Sequence, residues 1–444
     1  MSEEPKKEGG TPSILDKLGV KKTGAKPKEK IYRPREDKTT SPKDDKPIQI
    51  KLDGQFKMVA TCMQNMEPEL EQELNDLGAK EIQVKRRAVE FVGDLELLYK
   101  ANIWLRTALK VLKPIYHYSA KNEGELYNRA LKLPWETIFN SEKTFSIDSA
   151  VSSTHFTHSQ FASLRIKDAI VDRFRAQQLN RPNVERFDPD VRIHLHINDT
   201  SITLSLDSSG TPLFKRGYRV KQHLAPINEC LAAGLILKSG WRGEQDFFDP
   251  MTGTATIAIE AALIACNIPP NLNRTNFAFE GWNNYDVSLL SKVLGKAQEV
   301  YRPLKVNIYA KELNSNNLRS ARMNINSANM RKSIELEQAD FFKTPPPSES
   351  GVMIINPPYG ERLELQEGLP DFFEKIGSTC KHEYSGWDAW IIASDEESFK
   401  NIGLKHSKKI PVMNGKLECQ FRKFELFEGK RVEEVKRRGG KKQD

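Results

Sequence analysis

Residues 246–266, DFFDPMTGTATIAIEAALIAC, run from an apolar strand through a turn of small residues directly into an apolar helix. The strand ends on Asp249, the turn spans Thr252 to Thr256, and small side chains there let a ligand approach the backbone. A phosphate-cradling turn would carry Gly-x-Gly-x-x-Gly, but only Gly253 is present, with Ala255 in the place of a second glycine. Downstream, the apolar strands VNIYAKE, IELEQAD, GVMIINPP and DAWIIAS are interspersed with the helical segments NSNNLRSARMNINSA and LPDFFEKIGSTC, and LKHSKKIPVMNGKLECQFRKFELF closes the series as a hairpin. That pattern predicts an α/β fold with a mostly parallel sheet covered on both faces, its ligands at the carboxyl ends of the strands.

Three further features lie at the ends of these strands. VNIYAKE ends on Glu312, where nucleoside-binding folds place an acid that accepts from paired ribose hydroxyls. Alone, Glu312 reads as one solvated acid among 60 Asp and Glu residues, and its register with Asp249 and Gly253 is what makes it a ligand contact. Asp340 ends the next strand, so its carboxylate or the neighbouring amide suits an adenine edge, while Phe341 and Phe342 either pack on the adenine face or join the core.

The most specific signal is INPPYGERL, because two prolines directly after an apolar strand fix the backbone and withhold two N–H donors. The exocyclic amine of a purine is a poor nucleophile, its lone pair being delocalised into the ring. The Asn356 side-chain oxygen and the Pro357 carbonyl, each accepting one amine hydrogen, would turn that pair toward a methyl donor. Pro358 stiffens the turn and Tyr359 stacks on the base. Such in-line transfer needs no protein nucleophile, metal or phosphate loop, and no Ser-His-Asp series, CxxC pair or Walker loop stands out. Pro-Pro-Tyr can also be a rigid turn and nothing more, but its place after the fourth strand favours chemistry.

Upstream, residues 1–54 have the composition of a disordered charged tail, whose cations either touch RNA phosphates or stay solvated, and the basic run 428–444 is similar. From Phe56, FKMVATC, MEPELEQELNDLG, EIQVKRRAVEFVG and DLELLYKANIWLRTA give the order β-α-β-β-α-β of a ferredoxin-like module over 55–115. A second α/β segment over 116–207 holds the strand TFSIDSAVS, the helix HSQFASLRIKDAIVDRFRAQ and a hairpin of VRIHLHIND with SITLSLDS. His194 and His196 share one strand face without further ligands, so no metal site is expected.

Lys and Arg number 68 against 60 Asp and Glu, a net charge of +8 that suits an anionic partner without demanding one. Five cysteines without a CxxC pair argue against a disulfide framework and a thiolate zinc site, and point to a reducing compartment. With no apolar leader and no run of about 18 apolar residues, the expectation is a soluble, cytoplasmic chain with no membrane partner. Oligomeric state is left open.

In this order, DPMTGTAT, Glu312, Asp340 and NPPYGERL resemble class I S-adenosylmethionine-dependent methyltransferases acting on amino nitrogens. The segments KRGYR and APINECLAAG narrow the resemblance to THUMP-domain RNA methyltransferases, most of all the bacterial 23S ribosomal RNA guanine-N2 family. It covers about residues 55 to 427 and implies a Rossmann-like methyltransferase domain over 208–427, preceded by the ferredoxin-like piece and a THUMP module that presents RNA. S-adenosylmethionine is the implied cofactor, with Asp249, Pro250, Thr252, Gly253, Thr254, Ala255, Glu312, Asp340 and Phe341 as its contacts. The implied partner is 23S ribosomal RNA or a large-subunit assembly intermediate, and Lys215, Arg216, Tyr218 and Arg219 lie at the junction, as RNA contacts or as a charged connector with Tyr218 in the core.

Guanine N2 is the implied target, while adenine N6 and protein glutamine N5 are amines that the same tetrapeptide also serves. Family members usually carry Cys-Gly-Ser-Gly where this chain reads Thr252-Gly253-Thr254-Ala255, and two acids where it has Glu312 followed by Asn314. Those departures predict a cofactor crowded by the Ala255 methyl, and they motivate a competing reading, a non-catalytic RNA-binding or ribosome-assembly factor. Longer members carry a second methyltransferase domain, and this chain matches their guanine-N2 half.

Overall fold

The computed structural model describes residues 48–220, 227–358 and 368–428. Most of the expected charged tail, residues 1–47, and of the basic C-terminal run, 429–444, lies outside the described residues. Ile48, Ile50 and Leu52, which fall within the segment read as a tail, pack against the core instead, and Asn284 Nδ2 donates to the Leu52 carbonyl at 3.0 Å. Three apolar side chains spaced two apart give this short stretch enough buried surface to order it.

The first half contains β1 (Phe56–Cys62), α1 (Glu67–Asp76), β2 (Lys80–Lys85), β3 (Ala88–Gly93), α2 (Leu95–Trp104) and β4 (Ala108–Ser119). It continues with α3 (Glu123–Leu131), β5 (Phe145–Ser152), α4 (Ser159–Ala176), β6 (Val191–Asn198) and β7 (Ser201–Asp207). Among the described residues these strands form one seven-stranded sheet in the order β2-β3-β1-β4-β7-β6-β5. The 12-residue strand β4 is the hinge of this arrangement, since its first part pairs with β1 and its second part with β7. The two modules expected on either side of residue 115 therefore share a continuous sheet, and the expected division runs through a strand.

The second half contains α5 (Glu229–Ser239), β8 (Phe247–Asp249), α6 (Thr256–Ala265), α7 (Val287–Glu299), β9 (Ile308–Glu312), α8 (Ser315–Ser327) and β10 (Glu335–Gln338). It ends with β11 (Gly351–Ile355), α9 (Leu369–Glu383), β12 (Trp387–Ala393), α10 (Glu396–Asn401), β13 (Lys408–Asn414) and β14 (Leu417–Glu425). The sheet order is β10-β9-β8-β11-β12-β14-β13, parallel except for β14, which runs antiparallel to both of its neighbours. β8 and β11 are buried along their whole length, which is why they read as uninterrupted apolar runs. Strand order reverses between β8 and β11, so a crevice opens at their carboxyl ends. Among the described residues no helix is long and apolar enough to cross a membrane.

A buried polar cluster locks the two halves together. Glu260 on α6 is fully buried, accepts from the Tyr218 hydroxyl at 3.0 Å and lies 3.6 Å from the Arg216 guanidinium. Arg216 also donates to the carbonyls of Leu213 and Arg106, and Arg106 donates to Ile268 O at 2.8 Å. The amides of Arg106 and Thr107 donate in turn to the carboxylate of Glu73 on α1. Burial raises the Glu260 carboxyl above the ordinary range, against the pull of Arg216 and Arg106. Burial likewise brings Arg106 down to about 10, opposed by Glu260 and Glu73. Removing one member strands buried charges, so Glu260→Ala is expected to cost about 3–5 kcal/mol in urea unfolding. Glu90→Ala, at the exposed Lys85–Glu90 pair of 3.9 Å, should cost less than about 1 kcal/mol. Equal losses would contradict this account of the junction.

Candidate active site

Asp249 closes β8 with its side chain fully buried, and Thr252 Oγ1 donates to its Oδ2 at 2.6 Å. Its Oδ1 is buried and has no hydrogen-bond partner among the described residues. Burial pushes this carboxyl up to about 7, opposed by the Thr252 hydroxyl and the Ala258 amide and reinforced by the nearby Glu312 carboxylate. The turn that follows is held from the next strand: Thr252 N donates to Lys311 O at 2.9 Å and Gly253 N to Glu312 Oε2 at 2.8 Å. Gly253 has φ +57°, and a Cβ there would meet nothing within 4 Å, so its free side is open. Pro250, Thr252 and Thr254 are buried and supply the walls of the turn.

Glu312 closes β9, and its other oxygen, Oε1, accepts from Asn314 N at 2.8 Å. Oε1 also meets Asn317 Nδ2 at 3.5 Å, while Oε2 keeps a second lone pair, so these contacts orient the group without exhausting it. Asp340, half-buried beyond β10, shapes its own turn through Oδ1, which accepts from Phe342 N at 3.0 Å. Phe341 is enclosed in the core between Tyr384 and Phe248, with centroids at 5.3 and 6.5 Å. Of the two roles open to it, core packing is the one its ring occupies. Leu313, directly after Glu312, is 65% exposed and offers apolar surface beside the acid, which the sequence reading passed over.

At the end of β11, Pro357 is buried and Asn356 and Pro358 half-buried, while Tyr359 lies outside the described residues. Asn356 Oδ1 is buried and lacks a hydrogen-bond partner among the described residues. Register places Ile354 two residues before Asn356 and, since Met353 pairs with Phe248, beside Asp249. Two adjacent parallel strands thus carry unpartnered acceptors to the point where strand order reverses. An orphaned buried acceptor costs about 1–3 kcal/mol, which a donor on a ligand bound at this point would recover.

The junction residues divide. Lys215 is exposed, whereas Arg216 and Tyr218 are 5% exposed and committed to Glu260, so the RNA role expected for those two is replaced by a structural one. Arg219 faces the 252–256 turn instead: its guanidinium donates to Glu229 Oε1 at 3.0 Å, Thr254 Oγ1 at 3.3 Å and Thr256 Oγ1 at 3.3 Å. Buried Asn324 on α8 adds a second tie, accepting from Val220 N and donating to Thr254 O, both at 3.0 Å. An asparagine on the core side of an otherwise amphipathic helix was the available signal for it.

Family models match the chain in three consecutive pieces: an RlmL ferredoxin-like domain over residues 57–112, a THUMP domain over 120–207, and an RMKL-like methyltransferase domain over 216–423. A putative RNA methyltransferase, slr0064 of Synechocystis, is 34% identical over 83% of this chain and 96% of its own length. The chain belongs to the THUMP-domain class I S-adenosylmethionine-dependent RNA methyltransferases. Ribosomal RNA large subunit methyltransferase K/L of Shewanella baltica is 35% identical over 83% of this chain and 52% of its own length, so the chain spans about half of that relative. The crystal structure of SMU.472, a putative methyltransferase complexed with SAH, superposes with a TM-score of 0.76 at 29% identity, covering 85% of this chain and 99% of that one.

Within this family, the departures at Ala255 and Asn314 acquire physical explanations. Ala255 has φ +65°, the left-handed region a glycine would occupy freely, and its side chain is fully buried in the core. The expected crowding is therefore absent from the open side of the turn, and the cost is backbone strain of about 1–2 kcal/mol. Asn314 caps α8, its side chain accepting from the amides of Asn316 and Asn317.

Asp249 provides a pH test. A carboxyl whose folded value lies above its unfolded value favours the folded state at acid pH and loses that advantage as pH rises from the usual carboxylate range through about 7. Asp249→Asn removes this loss, so its thermal stability relative to the parent should improve between pH 5 and pH 8 while cofactor affinity falls. A stability difference independent of pH would contradict the burial argument.

Proposed function

We propose that this chain transfers the methyl group of S-adenosylmethionine to the exocyclic N2 of a guanine in large-subunit ribosomal RNA. The single observation that carries the reading is Asn356 Oδ1, a buried acceptor without a partner among the described residues, at the carboxyl end of β11 beside the cofactor turn. It accepts one amine hydrogen and the Pro357 carbonyl accepts the other, which leaves the nitrogen lone pair directed at the sulfonium methyl. Glu312 holds the ribose hydroxyls of the cofactor, and Asp249 with the turn 250–255 receives its methionine end. With S-adenosylmethionine bound, the nitrogen–methyl bond would form as the sulfur–methyl bond breaks, S-adenosylhomocysteine would depart, and the amine proton would pass to solvent, the Asn356 and Pro357 oxygens being too weakly basic to keep it. Residues 55–207 present the RNA and residues 208–427 perform the transfer.

Large-subunit ribosomal RNA as the substrate is supported by likeness to the K/L enzymes, which are named for that RNA, and guanine N2 by the resemblance of the site motifs. The intact Gly253–Glu312 bond and the Asp249 carboxylate speak against a decayed, non-catalytic pocket. Asn356→Ala is expected to lower kcat by about 100-fold or more, with the dissociation constants for cofactor and RNA within about twofold of the parent, because its hydrogen bond is strongest in the transition state. Unchanged turnover would remove Asn356 from the chemistry.

A further inference from the structure

From Asp249 to Thr256, Ala255 is the only non-glycine residue with a positive φ, at +65°. Its methyl group has no polar atom with which to stabilise that conformation, so the restraint has to come from its neighbours. Two contacts hold the turn ahead of it: Gly253 N donates to Glu312 Oε2 at 2.8 Å, and Thr254 O accepts from Asn324 Nδ2 at 3.0 Å. Among the described residues, Arg219 alone bonds the side chains on both sides of Ala255. Its Nη1 donates to Thr254 Oγ1 and its Nη2 to Thr256 Oγ1, each at 3.3 Å.

The same guanidinium is anchored away from the turn. Nε donates to Glu229 Oε1 at 3.0 Å and Nη2 to Ile227 O at 3.2 Å. Glu229 opens α5, which packs along α6, the helix that Ala255 caps. The side chains of Arg219 and Glu229 are 15% and 7% exposed, so the pair is shielded from solvent and held by a helix. Four hydrogen bonds use most of the five N–H groups of the fork, which suits a brace better than a phosphate contact.

We propose that Arg219 is a positioning residue for S-adenosylmethionine: it holds Ala255 in the left-handed conformation and so shapes the turn before the cofactor arrives, without touching the cofactor. This rests on the reading that the turn 250–255 receives the cofactor, and it holds whichever base is methylated. Without Arg219 the turn relaxes, and binding has to restore the strained form, which for the strain given above lowers affinity by roughly fivefold to thirtyfold.

The test is a double-mutant cycle, read by calorimetric titration of the full chain with S-adenosylhomocysteine. Arg219→Ala should weaken binding by about tenfold in the parent background and by less than about threefold in the Ala255→Gly background, because glycine adopts positive φ unaided. Arg219→Lys keeps a charge opposite Glu229 but replaces the fork with one ammonium, and should give the same pattern with a smaller fall in melting temperature. If Arg219→Ala does not fold, Arg219→Lys carries the cycle. An equal loss in both backgrounds overturns the proposal, being the result expected of a direct cofactor contact or a purely structural role. A loss below about twofold in the parent background overturns it as well. No binding of S-adenosylhomocysteine by the parent chain would overturn it together with the assignment of the turn, whereas the other two results leave that assignment standing.

Discussion

The reversal of strand order between β8 and β11 is the constraint on which the rest depends. Parallel strands need crossovers, and the crossovers leave in opposite directions from these two strands, which opens a gap at their carboxyl ends. Asp249 ends β8 and Asn356 follows β11, and each brings to that gap a buried oxygen without a hydrogen-bond partner among the described residues. A hydrophobic sheet tolerates such acceptors because its remaining side chains are apolar and tightly packed, with β8, β11 and β12 contributing Phe247, Phe248, Met353, Ile355 and Trp390 to the interior. The polar atoms are left where a ligand can satisfy them.

The cofactor turn is not an isolated loop. β9 fixes it from one side through Lys311 and Glu312, and the linker from the THUMP half fixes it from the other through Arg219 and the Asn324 bridge. Because Arg216 and Tyr218 of the same linker anchor on Glu260 and Arg106, the first half, the linker and the 252–256 turn form one hydrogen-bonded series. The strained Ala255 is sustained by that support, with its methyl adding to the core that holds α6 in place.

Strands were the legible part of the sequence. Buried parallel strands such as GVMII are continuous apolar runs bounded by Gly and Pro, and the β-α-β-β-α-β order upstream follows from periodicity alone. Helices α3 and α7 escaped that reading: each is short and flanked by polar loops, and each owes its start to a cap, Asn122 and Asp286, that a pattern search does not weigh. The joining of two modules through β4 was also hidden, since a 12-residue strand with Pro114 inside it resembles two shorter ones. At the site, Asp249, Gly253, Glu312 and Asn356 could be read as candidates because motif and strand end coincide. For Arg216 and Tyr218 two readings stayed open, because a basic, aromatic segment looks alike whether its charges face phosphates or a buried carboxylate. Only the placement of Glu260 distinguishes the two.

The central claim is that the orphaned acceptor at the end of β11 directs a base amine toward the cofactor's methyl group. Its most direct test is to incubate the chain with isotopically labelled S-adenosylmethionine and large-subunit ribosomal RNA from a strain deleted for its gene, then to digest the RNA and identify the labelled nucleoside by mass spectrometry. The account predicts label in N2-methylguanosine. Label in N6-methyladenosine would contradict the base assignment, and label confined to a ring carbon or a ribose oxygen, or none at all, would contradict the amine-directed chemistry itself.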